Sequence, residues 1–324
     1  MIDPNISQEN NEVEENVPQA EGEVAVIDKA EHERQATALK KHGSLKRNRI
    51  IANTAIYVGL TLISIVWLIP FVLIVFQSLR CEDFKGMVGY IFPQVWGFDN
   101  YVYLFTDTSF PQWYTNTFII ALFVAIFQTI FVLFTAYGLS RFRFRGRKLL
   151  MNIMLVLGMF PGFLTMIILY WVLKDFGLTQ EGAVPGLILV SVASSGMGYY
   201  VAKGYLDTIP KSLDEAAMID GATRFQVFYK IILPMAKPIV IYTILTAFMA
   251  PWGDYIFASY VAFGWTDSYN VAVGLYSWLT KEMISSRYTS FCAGGVCVAV
   301  PVTILFMCLQ KYYVEGVTGG AVKG

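Results

Sequence analysis

The residues best suited to chemistry lie in one stretch from Pro210 to Pro238, P-K-S-L-D-E-A-A-M-I-D-G-A-T-R-F-Q-V-F-Y-K-I-I-L-P-M-A-K-P. Asp214, Glu215 and Asp220 place three carboxylates close together, and Ala216 and Ala217 between them carry almost no side chain. Such a set is made for contact: small side chains let another protein's surface approach the backbone, and the carboxylates offer charge to a basic partner. Catalytic chemistry finds less support. The two histidines, His32 and His42, lie near the N-terminus, and Cys81, Cys292, Cys297 and Cys308 contain no CxxC pair. Neither a disulfide framework nor a zinc site is expected, and the cysteines read as small packing residues. No G-x-x-x-x-G-K-[ST] occurs, so the chain is expected to bind no cofactor and to hydrolyse no ATP by itself.

One further carboxylate stands apart. Asp254, in Pro251-Trp252-Gly253-Asp254-Tyr255, interrupts an otherwise uncharged run, where an ionisable group is costly unless it meets a partner or a wet cavity. Trp252, Asp254 and Tyr255 are candidates for a translocation path, and a structural hydrogen bond bracing the proline break is the competing role.

The 210–238 stretch predicts two short helices meeting at a glycine. Ser212 and Glu215 have the spacing of a capping box, Gly221 suits a left-handed position after the first helix, and Thr223 with Gln226 repeats the box. Pro234 is expected to stop the second helix, whose Phe225, Phe228 and Ile232 form one apolar stripe. An amphipathic helix lying on a membrane surface would show the same pattern.

Long apolar runs flank this loop on both sides. The chain is 56% hydrophobic with a mean hydropathy of +0.52, above the roughly 45–50% apolar usage of soluble domains. About 20 apolar residues cross a bilayer as a helix. On that measure six spans are expected, at about 52–77, 115–140, 149–172, 183–203, 238–262 and 289–311, with a loop over 204–237. The fold class is all-α, polytopic and membrane-embedded. Residues 1–43 hold ten Asp and Glu and no apolar periodicity, and are expected to form a disordered acidic tail ahead of a transmembrane domain at 44–324. That segment lacks the pattern of a signal peptide.

Nineteen Lys and Arg fall before the first span, in the 141–148 and 203–237 loops and after the last span, against five on the other side. This asymmetry predicts cytoplasmic termini and a cytoplasmic 210–238 loop. The cluster Arg141, Arg143, Arg145, Arg147 and Lys148 is expected to anchor against anionic lipid, not nucleic acid. On the opposite side, aromatics between residues 80 and 113 suit the membrane interface or contact with an external partner, and the loop at about 264–287 is a second such surface. Pro161-Gly162 and the small residues from Ser194 to Gly198 interrupt apolar runs, as packing sites or hinges.

Glu215-Ala216-Ala217, then Gly221, then Ile231-x-Leu233-Pro234, at fixed spacing, resemble the EAA loop of permease subunits of binding-protein-dependent ABC importers. Ala136 to Gly146 is similar to carbohydrate-importer permeases, and the tail from Gln310 to Gly324 resembles that of maltose-type "G" subunits. The resemblance implies the type I importer permease fold, in which the loop is a coupling helix docked in a cleft of an ATPase subunit. Glu215 would make the ionic contact with Asp214 and Asp220 nearby, Ala216 and Ala217 would fit the cleft, Gly221 would make the turn, and Leu233 and Pro234 would close the motif. Gly320, Val322, Lys323 and Gly324 would reach between two ATPase subunits, which would hold ATP and Mg. A second homologous permease, an extracellular binding protein and a maltodextrin-like oligosaccharide complete the implied set, in the cell membrane. Two other classes remain open on residues alone: an ion-coupled secondary transporter using Asp254, and a membrane scaffold or receptor for which the loop is only a docking site.

Overall fold

The computed structural model describes residues 49–159, 162–194 and 196–319. The acidic segment 1–43, Pro161, and the tail residues Gly320, Val322, Lys323 and Gly324 lie outside the described residues.

The chain divides between Phe71 and Val72 into two units. Described residues 49–71 of the first belong to α1, Arg49–Ser78, and all of them except Gly59 are exposed. The second unit contains α2 (Asp99–Thr106), α3 (Phe110–Arg141), α4 (Arg147–Gly158), α5 (Gly162–Asp175), α6 (Ala183–Ala193), α7 (Gly196–Leu206), α8 (Ser212–Ile219) and α9 (Arg224–Val227). A π turn at Phe228–Ile232 leads into α10 (Leu233–Met235), followed by α11 (Lys237–Gly253), α12 (Ile256–Ala262), α13 (Val271–Ser277) and α14 (Ile284–Gly319).

Among the described residues, four helical stretches are long and apolar enough to cross a membrane: α1, α3, the run from Gln180 to Leu206, and α14. The count reaches the expected six if two bent pairs each serve as one span. One is α4 with α5, which meet at 98°, so the span expected over 149–172 is bent where the sequence places the Pro161-Gly162 interruption. The other is α9–α10 with α11, bent by 81°. The fifth span also ends early. Pro251 has no N–H for the helical ladder, α11 stops at Gly253, and Asp254 is extended (ψ 92°) before α12 begins. Apolar content predicted a span through 262, and the proline break read at Pro251 is where the helix ends.

Within the second unit α3 packs against α6, α7, α11 and α13, and three buried clusters follow its length. Leu104, Phe110, Trp113 and Trp252 pack near its start. Ile120, Val124 and Ala125 meet Ala183, Leu187 and Val261 further along. Val132, Leu133, Ala136 and Tyr137 meet Leu206, Phe228, Ile232 and Ile239 at its end. That last cluster seats the 207–236 segment on three helices at once.

Candidate functional site

The segment after α7 is fixed by polar bonds before α8 begins. Lys203 Nζ pairs with Asp207 Oδ2 at 2.5 Å, one helical turn away, and Ser140 Oγ donates to Asp207 Oδ1 at 2.6 Å. Burial would raise the Asp207 carboxyl, but these donors hold it below the usual carboxylate range. Arg141 Nη2 donates to the carbonyl of Ile209 at 3.1 Å, and Arg141 Nε lies 2.7 Å from Asp214 Oδ2. Both side chains of that pair are nearly buried, 5% and 10% exposed. Burial pushes the Asp214 carboxyl upward against the pull of Arg141.

This pairing corrects two expectations. Asp214 does not offer its charge outward: the helical phase of α8 turns it toward α3, while Glu215, Ala216 and Asp220 remain exposed and Ala217 is half-buried. Arg141 is not a lipid anchor, because its guanidinium is committed to Ile209 and Asp214. The Ser212 cap is also absent. Lys211 holds the position before α8 in helical conformation (φ −69°, ψ −21°), with its carbonyl already accepting from Asp214 and Glu215. Ser212 therefore lies inside the helix, where its hydroxyl cannot face the free N–H groups.

The end of α8 follows the expectation closely. Gly221 takes φ +86°, Ala222 N–H bonds the carbonyl of Ala217 at 2.9 Å, and Gly221 N–H bonds that of Met218 at 3.1 Å. These two bonds complete a Schellman motif. The predicted second box is also present: Thr223 Oγ1 accepts from Gln226 N–H at 3.3 Å, and Gln226 Oε1 accepts from Thr223 N–H at 2.7 Å. The stripe is corrected at one position. Phe228 and Ile232 are buried, with Phe228 stacked 5.0 Å from Phe134 and 4.8 Å from Tyr137, but Phe225 is 62% exposed. Helix α9 is a single turn, and Val227 and Phe228 take its inward positions.

Pro234 does not stop the helix, which runs on to Met235. Its ring would crowd the carbonyl of Lys230, and the wider π turn just before it accommodates the misfit. Leu233 is half-buried against the end cluster and Pro234 is exposed.

The outcome is a two-faced element. Its inner face is held by Asp214, Phe228 and Ile232, and its outer face shows Glu215, Ala216 and Asp220 among the exposed apolar side chains Leu213, Met218 and Ile219, the last 86% exposed. Such a face can take a partner surface with an apolar cleft and a cation. The inner ties give it a direct mechanical connection to α3.

Asp254 lies elsewhere. Its Oδ1 accepts from Phe257 N–H at 3.3 Å, capping α12, and its carbonyl accepts from Asn270 Nδ2 at 2.6 Å. It also lines a cavity of about 360 Å³ with Thr165, Ser191 and Ser194. Trp252 is buried away from that cavity, 5.2 Å from Tyr114, and Tyr255 packs its ring 4.2 Å from that of Tyr276, tilted by 43°. The structure thus gathers Asp254 with polar groups of α5 and α6 but not with Trp252 or Tyr255. Sequence reasoning missed Asn270, which also caps α13 through Val273 N–H. Its place before a helical run was the available signal. The Lys203–Asp207 pair was visible as an i, i+4 spacing.

Apolar helices packed on α3, with a helical loop tied to their ends, make the architecture of a membrane-embedded subunit. Residues 132–319 match the family described as binding-protein-dependent transport system inner membrane component, and the chain belongs to that family. It is 37% identical over 238 residues to the galactooligosaccharides transport system permease protein GanQ of Bacillus subtilis, covering 72% of this chain and 83% of that one. It is 33% identical over 276 residues to the maltodextrin transport system permease protein MdxG of the same organism, covering 85% and 98%. The fold matches a chain in the crystal structure of a bacterial ABC transporter involved in the import of the acidic polysaccharide alginate, with a TM-score of 0.70 and 24% identity over 81% of this chain and 96% of that one. The fold is that of a type I importer permease, and the family is one of transport permeases located in the membrane.

Proposed function

We propose that this chain is a permease subunit of an ATP-driven oligosaccharide importer. It forms the translocation path with a second, homologous permease and receives sugar from an extracellular binding protein. An ATPase dimer, carrying ATP and Mg, supplies the free energy through the α8–α10 loop. The observation that carries this reading is the two-faced loop: Glu215, Ala216 and Ile219 outward, Asp214 and Phe228 tied inward to α3. Displacement of the outer face by a closing ATPase would be passed to α3 through the Arg141–Asp214 pair and to α11 through the π turn. A two-state repacking of the spans would follow. The names of the relatives support a maltodextrin- or galactooligosaccharide-like cargo. The basic-residue asymmetry supports cytoplasmic termini and a cytoplasmic loop, and the residues after 319 belong with the same ATPase contact.

The test is a cysteine cross-link. With Ala216→Cys and a cysteine in the cleft of the candidate ATPase, membranes should give a specific cross-link whose yield changes on adding ATP. Good expression of both proteins without a cross-link would sink the coupling role. Solute flux by this chain alone would favour an ion-coupled transporter.

A further inference from the structure

Between the end of α5, the 177–182 segment before α6, and α12 with the turn that follows it, the second unit holds a cavity of about 930 Å³. Its size falls within the roughly 300–1,000 Å³ of small-molecule sites. One wall is aromatic. Tyr170 lies 4.5 Å from Tyr260 and 5.8 Å from Trp171, and Phe263 continues the wall 6.5 Å from Tyr170. Tyr170 is buried, while the rings of Trp171, Phe263 and Trp265 are largely exposed. Polar groups of both signs complete the lining, Thr179, Gln180, Glu181 and Lys174, and the Lys174 ammonium lies 4.7 Å from the Trp171 ring centroid.

The backbone around the cavity is held in conformations that side chains disfavour. Among the described residues only two non-glycines have positive φ, Gln180 (+54°) and Phe263 (+38°), and both line this cavity. Left-handed backbone is unusual for a bulky residue and is retained where surrounding contacts impose it, often at ligand sites. Those contacts are visible. Ser268 Oγ donates to the carbonyl of Glu181 at 3.1 Å, joining the two loops, and Gly182 packs so tightly that a Cβ would come 2.3 Å from the carbonyl oxygen of Gly177. Phe263 N–H bonds the carbonyl of Ser259, and Trp265 N–H that of Ala262, which locks the turn presenting both rings. The cavity is built in advance of any ligand.

We infer that this cavity is an oligosaccharide-recognition subsite, in which Trp171, Phe263 and Trp265 stack on the C–H faces of sugar rings while Gln180, Glu181 and Lys174 bind hydroxyls. Flat aromatic faces beside mixed donors and acceptors match a molecule with apolar ring faces and a hydroxylated rim. A phosphate headgroup fits less well, because Glu181 would oppose its charge. The inference rests on the oligosaccharide reading above and adds a site to it.

The full-length chain in lipid nanodiscs would be titrated with maltopentaose and with β-1,4-galactotetraose by saturation-transfer NMR, beside uptake of the same two sugars by cells carrying the transporter. At least one sugar should bind through its ring C–H protons. Phe263→Gly, which removes the ring and suits the left-handed backbone, and Trp265→Ala should each weaken binding about two- to tenfold. Phe225→Ala, at the opposite end, should leave it unchanged. Uptake without detectable binding, or binding equal in both variants and wild type, would overturn the subsite and leave the importer reading standing. Retention of a phospholipid by wild type but not by Phe263→Gly, without sugar binding, would assign the cavity to lipid and overturn it too. If neither sugar is taken up, the importer reading fails, and the subsite with it.

Discussion

Arg141 closes α3, Asp214 lies in the first turn of α8, and their contact is the ion pair among the several ties that join this span to the loop. Removing one member of a buried ion pair leaves the other charge uncompensated, at about 3–5 kcal/mol, whereas replacing both by apolar groups is often tolerated. Arg141→Met should therefore loosen the 207–223 segment, read as faster proteolysis in membranes, and Arg141→Met with Asp214→Leu should restore most of its resistance. A single variant as resistant as wild type would remove the pair from the coupling route. Asp207 behaves differently because its carboxyl is held low by Lys203 and Ser140. Its contribution is present above the ordinary carboxylate value near pH 4 and lost as pH falls through the lower folded value. The difference in loop stability between wild type and Asp207→Asn should be full at neutral pH and vanish on acidification; a constant difference would contradict the assigned bonds.

Among elements, α8 and α9 depend on a turn that only glycine makes without strain. Gly221 at φ +86° has open space around a would-be Cβ, so Gly221→Ala introduces no clash and tests conformation alone. Left-handed backbone costs a non-glycine about 1–2 kcal/mol. The variant should fold and insert, yet show reduced cross-linking at position 216 and lower uptake. Unchanged uptake would mean that the angle between the helices is unimportant. The π turn before Pro234 has the complementary role, letting an uncapped proline pass while the chain bends 81° into α11.

For the whole molecule, the importer reading separates force generation from transport. Glu215→Lys reverses the exposed charge without touching the inner ties, so the protein should reach the membrane in normal amount while hydrolysis and uptake become uncoupled. Normal sugar uptake in that variant would contradict docking through Glu215. The inner variant Arg141→Met and the outer variant Glu215→Lys should thus fail in different ways, the first through loop integrity and the second through partner contact.

Much of this was legible in the residues, and the reason is local. Gly221 and the Thr223–Gln226 box are set by neighbours within a few residues, and six apolar runs report the solvent around them. The family could be read because its motif is contiguous. Features that depend on distant partners were not legible. Whether Asp214 faces a partner or Arg141 depends on how α8 lies against the end of α3. Pro234 was tolerated because a widened turn absorbed it, and the break after Pro251, itself visible in sequence, is held by a distant partner, Asn270, whose Nδ2 donates to the carbonyls of Pro251 and Asp254. The far cavity joins residues 170–182 to residues 260–268, a contact that no window of sequence contains. Sequence determined the elements, the membrane as solvent and the contact motif, because hydropathy and turn chemistry are short-ranged; tertiary structure alone decided which charges are spent inside and which remain for a partner, because burial depends on what the rest of the chain brings alongside.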